Sequence, residues 1–263
     1  PRGPLLPAPE RPSNVTDRED QTIALPPDRI LRLLAEGEIE VEGLIPWSSN
    51  ATLLVTVRDA EHSTLAVYKP QRGERPLWDF AHGTLGMREV ASYLLSEELG
   101  WGLVPPTVLR QGPHGLGSLQ FYVHSDESAH FFSVQHDERY LQDLKRVAAF
   151  DVIANNADRK AGHCLVGEDG RLWAIDNALT FHEEPKLRTV IWDYAGEPLP
   201  YDVVTDVSRL REALAEVSAL TRALEHMLSR GEIRALRRRV HNLVESGCFP
   251  EPGPGRVVPW PLV

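Results

Sequence analysis

The sequence has little of what marks several common classes of protein. It contains only two cysteines, Cys164 and Cys248, which lie far apart and outside any paired metal-ligand spacing. This argues against a disulfide framework and against a cysteine-rich zinc site. No apolar run in the chain approaches the ~20 residues that span a bilayer, and no signal peptide opens it. We therefore expect no integral membrane segment and a reducing, cytoplasmic setting.

Positive charge is also scarce relative to negative charge. Lysine and arginine total 28, aspartate and glutamate total 38, and the formal net charge is -10. A chain of this charge lacks the basic surface that binds nucleic acid or that adheres unaided to an anionic membrane. We therefore expect no nucleic acid among its partners.

The chain changes character along its length. Residues 1–21 are proline-rich and polar, which predicts a disordered tail. Strand patterns then prevail up to residue 124, and helical periodicity prevails after it. Strands are predicted at 39–45, 51–57, 63–68, 104–110 and 118–124, and helices at 29–36, 87–99, 138–154, 203–228 (as one or two helices) and 233–244. This order predicts an α+β protein with a sheet-rich N-terminal lobe (22–124) and a mainly helical C-terminal lobe (125–263).

Two carboxylates flank a predicted β-hairpin in the stretch "NNADRKAGHCLVGEDGRLWAIDN". An apolar helix breaks at Asn155 and Asn156, and two short strands (164–166 and 172–175) follow, joined by a turn with the sequence Glu-Asp-Gly. Asp158 and His163 precede the first strand and Asp176 follows the second. The hairpin therefore brings these three side chains to one end.

These residue types suit phosphoryl transfer. One carboxylate must orient and deprotonate the attacking hydroxyl, and we assign this role to Asp158. Another must hold a divalent metal on the β- and γ-phosphates, and we assign Asp176, with His163 placed as the second metal ligand. Lys160 offers a compact positive charge to the transferring phosphoryl group. The expected cofactors are ATP, as a substrate, and Mg²⁺ or Mn²⁺.

The chain resembles the phosphatidylinositol 3-/4-kinase-like family of the protein-kinase-like superfamily, most closely its type II phosphatidylinositol 4-kinase branch. The matching stretches are "GLIPWSSNATLLV", "AVYKPQRGERP", "GSLQFYV", "NNADRKAGHCLV" and "AIDNALTF". The resemblance implies a two-lobed protein-kinase-like α+β fold, with an antiparallel-sheet N-lobe and a mainly helical C-lobe.

The resemblance also implies a nucleotide-binding set in the N-terminal lobe. Lys69 would contact the α- and β-phosphates, and Glu89 would hold it in place, with Glu97 and Glu98 as rival partners. The turn that would cradle phosphate oxygens is formed by Ser48, Ser49 and Asn50. The strand that would read the adenine edge and sandwich the ring comprises Gln120, Phe121, Tyr122 and Val123, although Phe121 and Tyr122 equally suit ordinary strand positions.

Two positions depart from the family pattern. His163 stands where the family usually has Asn, and imidazole favours transition metals over magnesium, so we expect manganese to support at least as much activity as magnesium. Lys160 stands where these lipid kinases commonly have Gly, while serine/threonine protein kinases place a lysine two residues after the base. This favours a protein hydroxyl over a lipid head group.

We therefore expect an ATP-dependent kinase that transfers the γ-phosphate to a hydroxyl acceptor, with protein serine or threonine favoured. A phosphoinositide or small-polyol kinase is one alternative, and a catalytically weak, nucleotide-binding pseudokinase is another. A metal site made of His163, Cys164 and His182 lacks a regular ligand spacing and is the least favoured interpretation.

Overall fold

The computed structural model describes residues 25–45 and 51–263. The predicted tail at 1–21 and the predicted phosphate-cradling turn of Ser48, Ser49 and Asn50 lie outside these ranges. The strands are β1 (Glu38–Leu44), β2 (Leu53–Arg58), β3 (Ser63–Pro70), β4 (Thr107–Gly112), β5 (Gly115–Phe121), β6 (Ser125–His130), β7 (Cys164–Gly167) and β8 (Leu172–Ala174). The helices are α1 (Pro27–Glu36), α2 (Leu85–Leu99), α3 (Phe131–Val134), α4 (Leu141–Ala154), α5 (Tyr201–Ala215), α6 (Ala219–Glu225) and α7 (Arg230–Ser246).

The larger sheet has five strands in the order β1-β2-β3-β5-β4, and every neighbouring pair is antiparallel. Because side chains alternate between the faces of a strand, Val55, Tyr68 and Leu119 share one face. Helix α1 covers that face with Leu33 and Leu34, and all five side chains are buried. Burying a side chain of this size stabilises a fold by about 1.5–3 kcal/mol. The antiparallel sheet predicted for this part of the chain is confirmed.

Helix α2 connects this sheet to the helical part of the molecule. Its first turn contacts β5, where Gly86 lies against Ser118 on the face opposite α1. Farther along, Tyr93, Leu95 and Leu99 belong to the main hydrophobic core, together with side chains of α4, α5, α6 and α7. The helix therefore spans the boundary between the sheet and the helices.

A second, three-stranded sheet has the order β6-β7-β8. Strands β7 and β8 form the predicted hairpin, with Cys164 opposite Ala174. Strand β6 was not predicted, because its sequence SDESAH is polar and has no apolar alternation. It pairs with β7 only at Ser125 and His130, with an irregular register between them.

Helix α4 ends at Ala154 as predicted, and the stretch predicted at 203–228 as one or two helices forms two. The residue after the end of α4, Asn155, takes a φ of 53°, a left-handed conformation that asparagine tolerates better than most residues. The helical stretch predicted at 203–228 is divided into α5 and α6, because Ser218 begins a new helix by accepting a hydrogen bond from Thr221 N–H. Among the helices of the described residues, none combines the length and the apolarity needed to cross a bilayer.

Candidate active site

Lys69 lies at the junction of the two parts of the molecule. Its neighbour Tyr68 points toward α1, so Lys69 points to the opposite face of β3. Its Nζ donates to Glu89 Oε1 at 2.5 Å and to Asp176 Oδ1 at 2.9 Å. The sequence left Glu97 as a rival partner for Lys69, but Glu97 instead hydrogen-bonds the hydroxyl of Tyr93. The structure thus brings together the strand lysine, the helix glutamate and the acid that follows the hairpin.

The charges of this cluster reinforce one another. Burial works to lower the pKa of Lys69, but the carboxylates of Asp176 and Glu89 outweigh it and raise that pKa above its ordinary value. The ammonium of Lys69 in turn holds the pKa of Asp176 well below its usual range. Both groups are therefore charged at neutral pH.

Asp176 lies two residues after the end of β8, and its backbone takes a φ of 56°. This conformation costs a non-glycine residue energy and persists where the surrounding structure enforces it. Asp176 Oδ2 lies 3.3 Å from His163 Nε2. The Lys160 N–H faces His163 Nδ1 at 3.4 Å, which favours the tautomer with its proton on Nε2, directed at Asp176. Burial lowers the pKa of His163 to about 4, so the ring is neutral at pH 7.

Asp176 and His163 could supply two ligands to a divalent cation whose other ligands come from outside the protein. The Asp176 side chain is about half exposed (49%), whereas that of His163 is 13% exposed. Within residues 25–45 and 51–263, no group of three or more acidic, histidine or cysteine side chains comes close enough to form a metal site. Phosphate oxygens of a bound nucleotide would have to supply the remaining ligands, as is usual for Mg²⁺ sites.

Asp158 lies on the loop between α4 and β7, on the same side as Lys160. Its backbone N–H donates to Asn156 Oδ1 at 2.9 Å, which fixes the loop. Its Oδ2 lies 3.4 Å from Lys160 Nζ. Burial raises the pKa of Asp158 above its ordinary value, and the Lys160 ammonium opposes that rise while the nearby Asp176 adds to it. These are the properties of a carboxylate that takes up a proton more readily than an exposed one does.

Arg159 anchors the loop that carries Asp158. Its guanidinium is fully buried and pairs with the fully buried carboxylate of Asp151 at 3.0 Å. The same group donates to Ile175 O at 2.9 Å and to Asn177 Oδ1 at 2.7 Å. One buried cation thereby joins helix α4, the loop of Asp158 and the segment that follows β8.

Sequence reasoning missed two members of this network, Asp151 and Asn177. Asn177 N–H donates to Glu89 Oε2 at 3.1 Å, so this residue also orients the partner of Lys69. The available signals were weak. Asp151 is the only charged residue in the apolar end of α4, "VAAFDVIA", and Asn177 directly follows Asp176.

The strand expected to read the adenine edge is placed only partly as predicted. Gln120 shares the face of Lys69, but it is buried and its amide donates to Thr107 Oγ1 at 2.9 Å. The Phe121 side chain packs instead with the cluster beneath α1, away from Lys69, so it does not sandwich a ring in the cleft. The backbone N–H of Tyr122 donates to Leu65 O at 3.1 Å. Val123 is half-buried and directly follows Tyr122, whose N–H is the one bonded to Leu65.

The alternative metal site of His163, Cys164 and His182 does not form. His182 Nε2 lies 2.9 Å from the backbone oxygen of Asp79. Cys164 is buried, and burial raises the pKa of its thiol to about 12. A buried thiol with that pKa is a poor nucleophile at neutral pH.

Comparison with solved structures identifies the class of fold. A structure of hydra Fam20 with sugar covers 83% of this chain and 88% of its own, with a TM-score of 0.54 and 17% sequence identity. The Golgi casein kinase with Mn/ADP bound covers 83% of this chain and 74% of its own, with a TM-score of 0.50 and 15% identity. Together with the sheet and helices described above, these similarities establish a two-lobed, protein-kinase-like α+β fold.

Comparison with known sequences identifies the family. Protein Rv2133c of Mycobacterium tuberculosis (strain ATCC 25618 / H37Rv) is 40% identical over 262 residues, which cover 87% of this chain and 94% of that protein. The chain belongs to the same family as Rv2133c. No family model matches it.

A more distant relative is phosphatidylinositol 4-kinase gamma 4 of Oryza sativa subsp. japonica. It is 30% identical over 138 residues, which cover 44% of this chain and only 24% of that protein. A match of this extent supports membership of the kinase-like superfamily. It does not single out the type II phosphatidylinositol 4-kinase branch, so that finer assignment stays a prediction.

Proposed function

We propose that this protein is an ATP-dependent kinase that transfers the γ-phosphate to a hydroxyl group. The observation that carries the proposal is the contact of Lys69 with both Glu89 and Asp176, next to the loop that holds Asp158 and Lys160. A phosphoryl-transfer site needs a cation for the phosphates, an acid for the metal and a base for the acceptor. This cluster offers a candidate for each of these roles.

On the donor side, Lys69 would hold the α- and β-phosphates while Glu89 fixes its position. Ser48, Ser49 and Asn50 would cover the phosphates, and backbone groups around Tyr122 and Val123 would read the adenine edge. A divalent cation, Mg²⁺ or Mn²⁺, would be held by Asp176 and His163 and would neutralise charge that develops on the phosphates.

On the acceptor side, Asp158 would take the proton of the attacking hydroxyl. Its raised pKa suits this role, because a base with a higher proton affinity assists the transfer more strongly. Lys160, beside it, would neutralise charge on the transferring group. A lysine two residues after the base favours protein serine or threonine as the acceptor. A phosphoinositide or small polyol is the alternative.

The two thiols are free, which suits a reducing, cytoplasmic setting.

One observation favours a nucleotide-binding protein with little turnover. The favoured tautomer of His163 directs an N–H at Asp176, and both oxygens of that carboxylate thereby face a donor. Metal binding requires the Nε2 proton to leave and the Lys69 contact to loosen. If that rearrangement is costly, nucleotide binds without efficient transfer.

The two candidates are separated by incubating the protein with γ-labelled ATP and either Mg²⁺ or Mn²⁺, alone and with cell extract. A kinase transfers label to an acceptor, and the Asp158→Asn variant does not. Thermal stabilisation by ATP and metal without any labelled acceptor would support the regulatory alternative. Absence of nucleotide binding with either metal would refute both.

A further inference from the structure

The C-terminal residues 251–263 return from the end of α7 to the loop that contains Asp158 and Lys160. The carbonyl oxygen of Val257 accepts hydrogen bonds from Thr189 N–H at 3.1 Å and from Trp192 Nε1 at 3.0 Å. The carbonyl oxygen of Leu262 accepts one from the N–H of Ala161 at 2.8 Å. Ala161 directly follows Lys160, so this last bond fixes the segment against the proposed catalytic loop.

The contact extends beyond one hydrogen bond. A Cβ added to Gly162 would lie 3.8 Å from Cγ1 of Val263, which is ordinary van der Waals contact. Pro259 is buried, whereas Arg256 and Trp260 are exposed. The segment is therefore held by its backbone and by Pro259, and it keeps other side chains free to meet a ligand.

Arg256 directly precedes Val257, whose carbonyl oxygen is held by Thr189 and Trp192. Arg256 Nε donates to Val258 O at 3.0 Å, which fixes one edge of the guanidinium. The rest of the exposed guanidinium is open to a ligand. Burial raises the pKa of Asp158, and the positive charges of Lys160 and Arg256 both act to lower it. Two cations from different parts of the chain thus act on the same carboxylate.

We propose that residues 256–263 form the acceptor-side wall of the catalytic site, and that Arg256, together with Lys160, binds an anionic group of the acceptor. The inference rests on the proposed kinase function, because it assigns the acceptor side of that same site. The acceptor class is a hydroxyl compound that also carries a phosphate or carboxylate group. An arginine fork matches either oxyanion with two parallel hydrogen bonds.

The test uses the full chain saturated with a non-hydrolysable ATP analogue and Mn²⁺, so that the donor site is filled. Inorganic sulfate is the probe, and its dissociation constant is measured by NMR titration. Nucleotide binding is measured first, by calorimetry, for every variant. Failure of the wild-type protein to bind nucleotide would defeat the kinase proposal itself, whereas normal nucleotide binding isolates the question of the acceptor side.

We expect sulfate to bind the nucleotide-loaded wild-type protein and to perturb the resonances of residues 256–263 and of the Asp158 loop. Arg256→Glu weakens this binding by about tenfold or more, since a charge-assisted hydrogen bond is worth that factor. Arg256→Lys keeps the charge but loses the fork, so its sulfate affinity should lie between those of wild type and Arg256→Glu, which a purely structural role of the arginine would not explain. Arg234→Glu, which changes an exposed arginine of α7, leaves it unchanged.

Equal sulfate affinity in wild type and Arg256→Glu would overturn the proposal, as would the absence of sulfate binding to the nucleotide-loaded protein.

Two pairs of acceptors then distinguish the source of the anionic group. One pair is glycerol 3-phosphate and glycerol, and the other is a serine peptide flanked by glutamates and the same peptide flanked by glycines. The anionic member of one pair is expected to take label in preference to its neutral counterpart, and this preference is lost in Arg256→Glu. A preference for the neutral members would count against the assignment.

Discussion

The Lys69 ammonium donates to Asp176 Oδ1 at 2.9 Å although the two residues are 107 positions apart. This contact joins the five-stranded sheet to the end of the β7-β8 hairpin. Because Glu89 holds the same ammonium from α2, the lysine is fixed from two directions before any nucleotide arrives. A cationic group that is already in place costs little reorganisation when it meets phosphate, which is the basis of electrostatic preorganisation.

Replacing Lys69 with methionine removes this cation while keeping most of the side chain. We expect ATP affinity to fall by about tenfold or more, because hydrogen bonds to charged groups are lost. Glu89→Gln should reduce phosphate transfer while the fold is retained, since glutamine can still accept from Asn177 N–H. Calorimetric titration with ATP and Mn²⁺, followed by a transfer assay, measures both effects. Glu98→Gln, on the same helix, is the matched control and should behave as wild type.

Removing the proposed base separates binding from chemistry. Asp158→Asn should lower the transfer rate by about a hundredfold or more, the usual contribution of a positioned base. Nucleotide affinity should change little, because Asp158 faces the acceptor side, beside Lys160. Asp28→Asn, an exposed change in the first turn of α1, serves as the control. A transfer rate equal to that of wild type would show that another group takes the proton.

The pH dependence of transfer reports on the surroundings of Asp158. Burial raises the pKa of this carboxyl and the Lys160 ammonium opposes the rise. A base must be deprotonated to act, so the rate falls as pH drops through this pKa. Lys160→Met removes the opposing charge, raises the pKa further and should move the acidic limb of the pH-rate profile to higher pH. Lys145→Met, which breaks an ion pair with Glu197 elsewhere, should leave the limb in place. A shift to lower pH in Lys160→Met would contradict the assignment.

Metal preference tests the role of His163. Imidazole favours transition metals, whereas an amide oxygen suits magnesium. We expect Mn²⁺ to support at least as much transfer as Mg²⁺ in wild type, and His163→Asn to shift the ratio several-fold toward Mg²⁺. Rates are compared at saturating concentrations of each cation. His226→Asn, an exposed histidine at the end of α6, should not change the ratio. Strict magnesium preference in wild type would exclude His163 as a ligand.

Local sequence signals account for the parts of the site that lie on one hairpin. The turn between β7 and β8 determines which residues flank it, so the proximity of His163 and Asp176 follows from topology alone. The pairing of Lys69 with Glu89 came from the resemblance, because periodicity places Glu89 on α2 without saying which way it points. Glu97 and Glu98 lie on the same helix, and only the packing of α2 excludes them.

What the sequence could not predict depends on register and on tertiary contacts. The sequence left Phe121 equally suited to sandwiching the adenine ring and to an ordinary strand position. The pairing of Ala66 with Phe121 and of Tyr68 with Leu119 turns its side chain toward α1. The return of residues 251–263 to the catalytic loop rests on backbone hydrogen bonds, which leave no pattern in the sequence. The same limitation applies to the buried network around Arg159.

That network yields a prediction about stability. Asp151 and Arg159 are both fully buried, and Asn156 and Thr189 donate to the same carboxylate. Asp151→Ala leaves the guanidinium without its counter-ion, which should lower the free energy of unfolding by about 3–5 kcal/mol. Asp143→Ala breaks an ion pair at the surface with Arg146 and should cost about 1 kcal/mol or less. Urea unfolding followed by circular dichroism measures both.

A double variant separates the cost of an unpaired charge from the value of the pair. Asp151→Leu combined with Arg159→Met replaces both ions with apolar side chains, and exchanges of this kind are often close to neutral for stability. We therefore expect the double variant to be more stable than Asp151→Ala but to lose phosphate transfer, because Arg159 also holds Ile175 and Asn177 around the site. If the double variant kept full activity, the buried pair would serve only the fold. If it were no more stable than Asp151→Ala, the loss would arise from packing and not from the uncompensated charge.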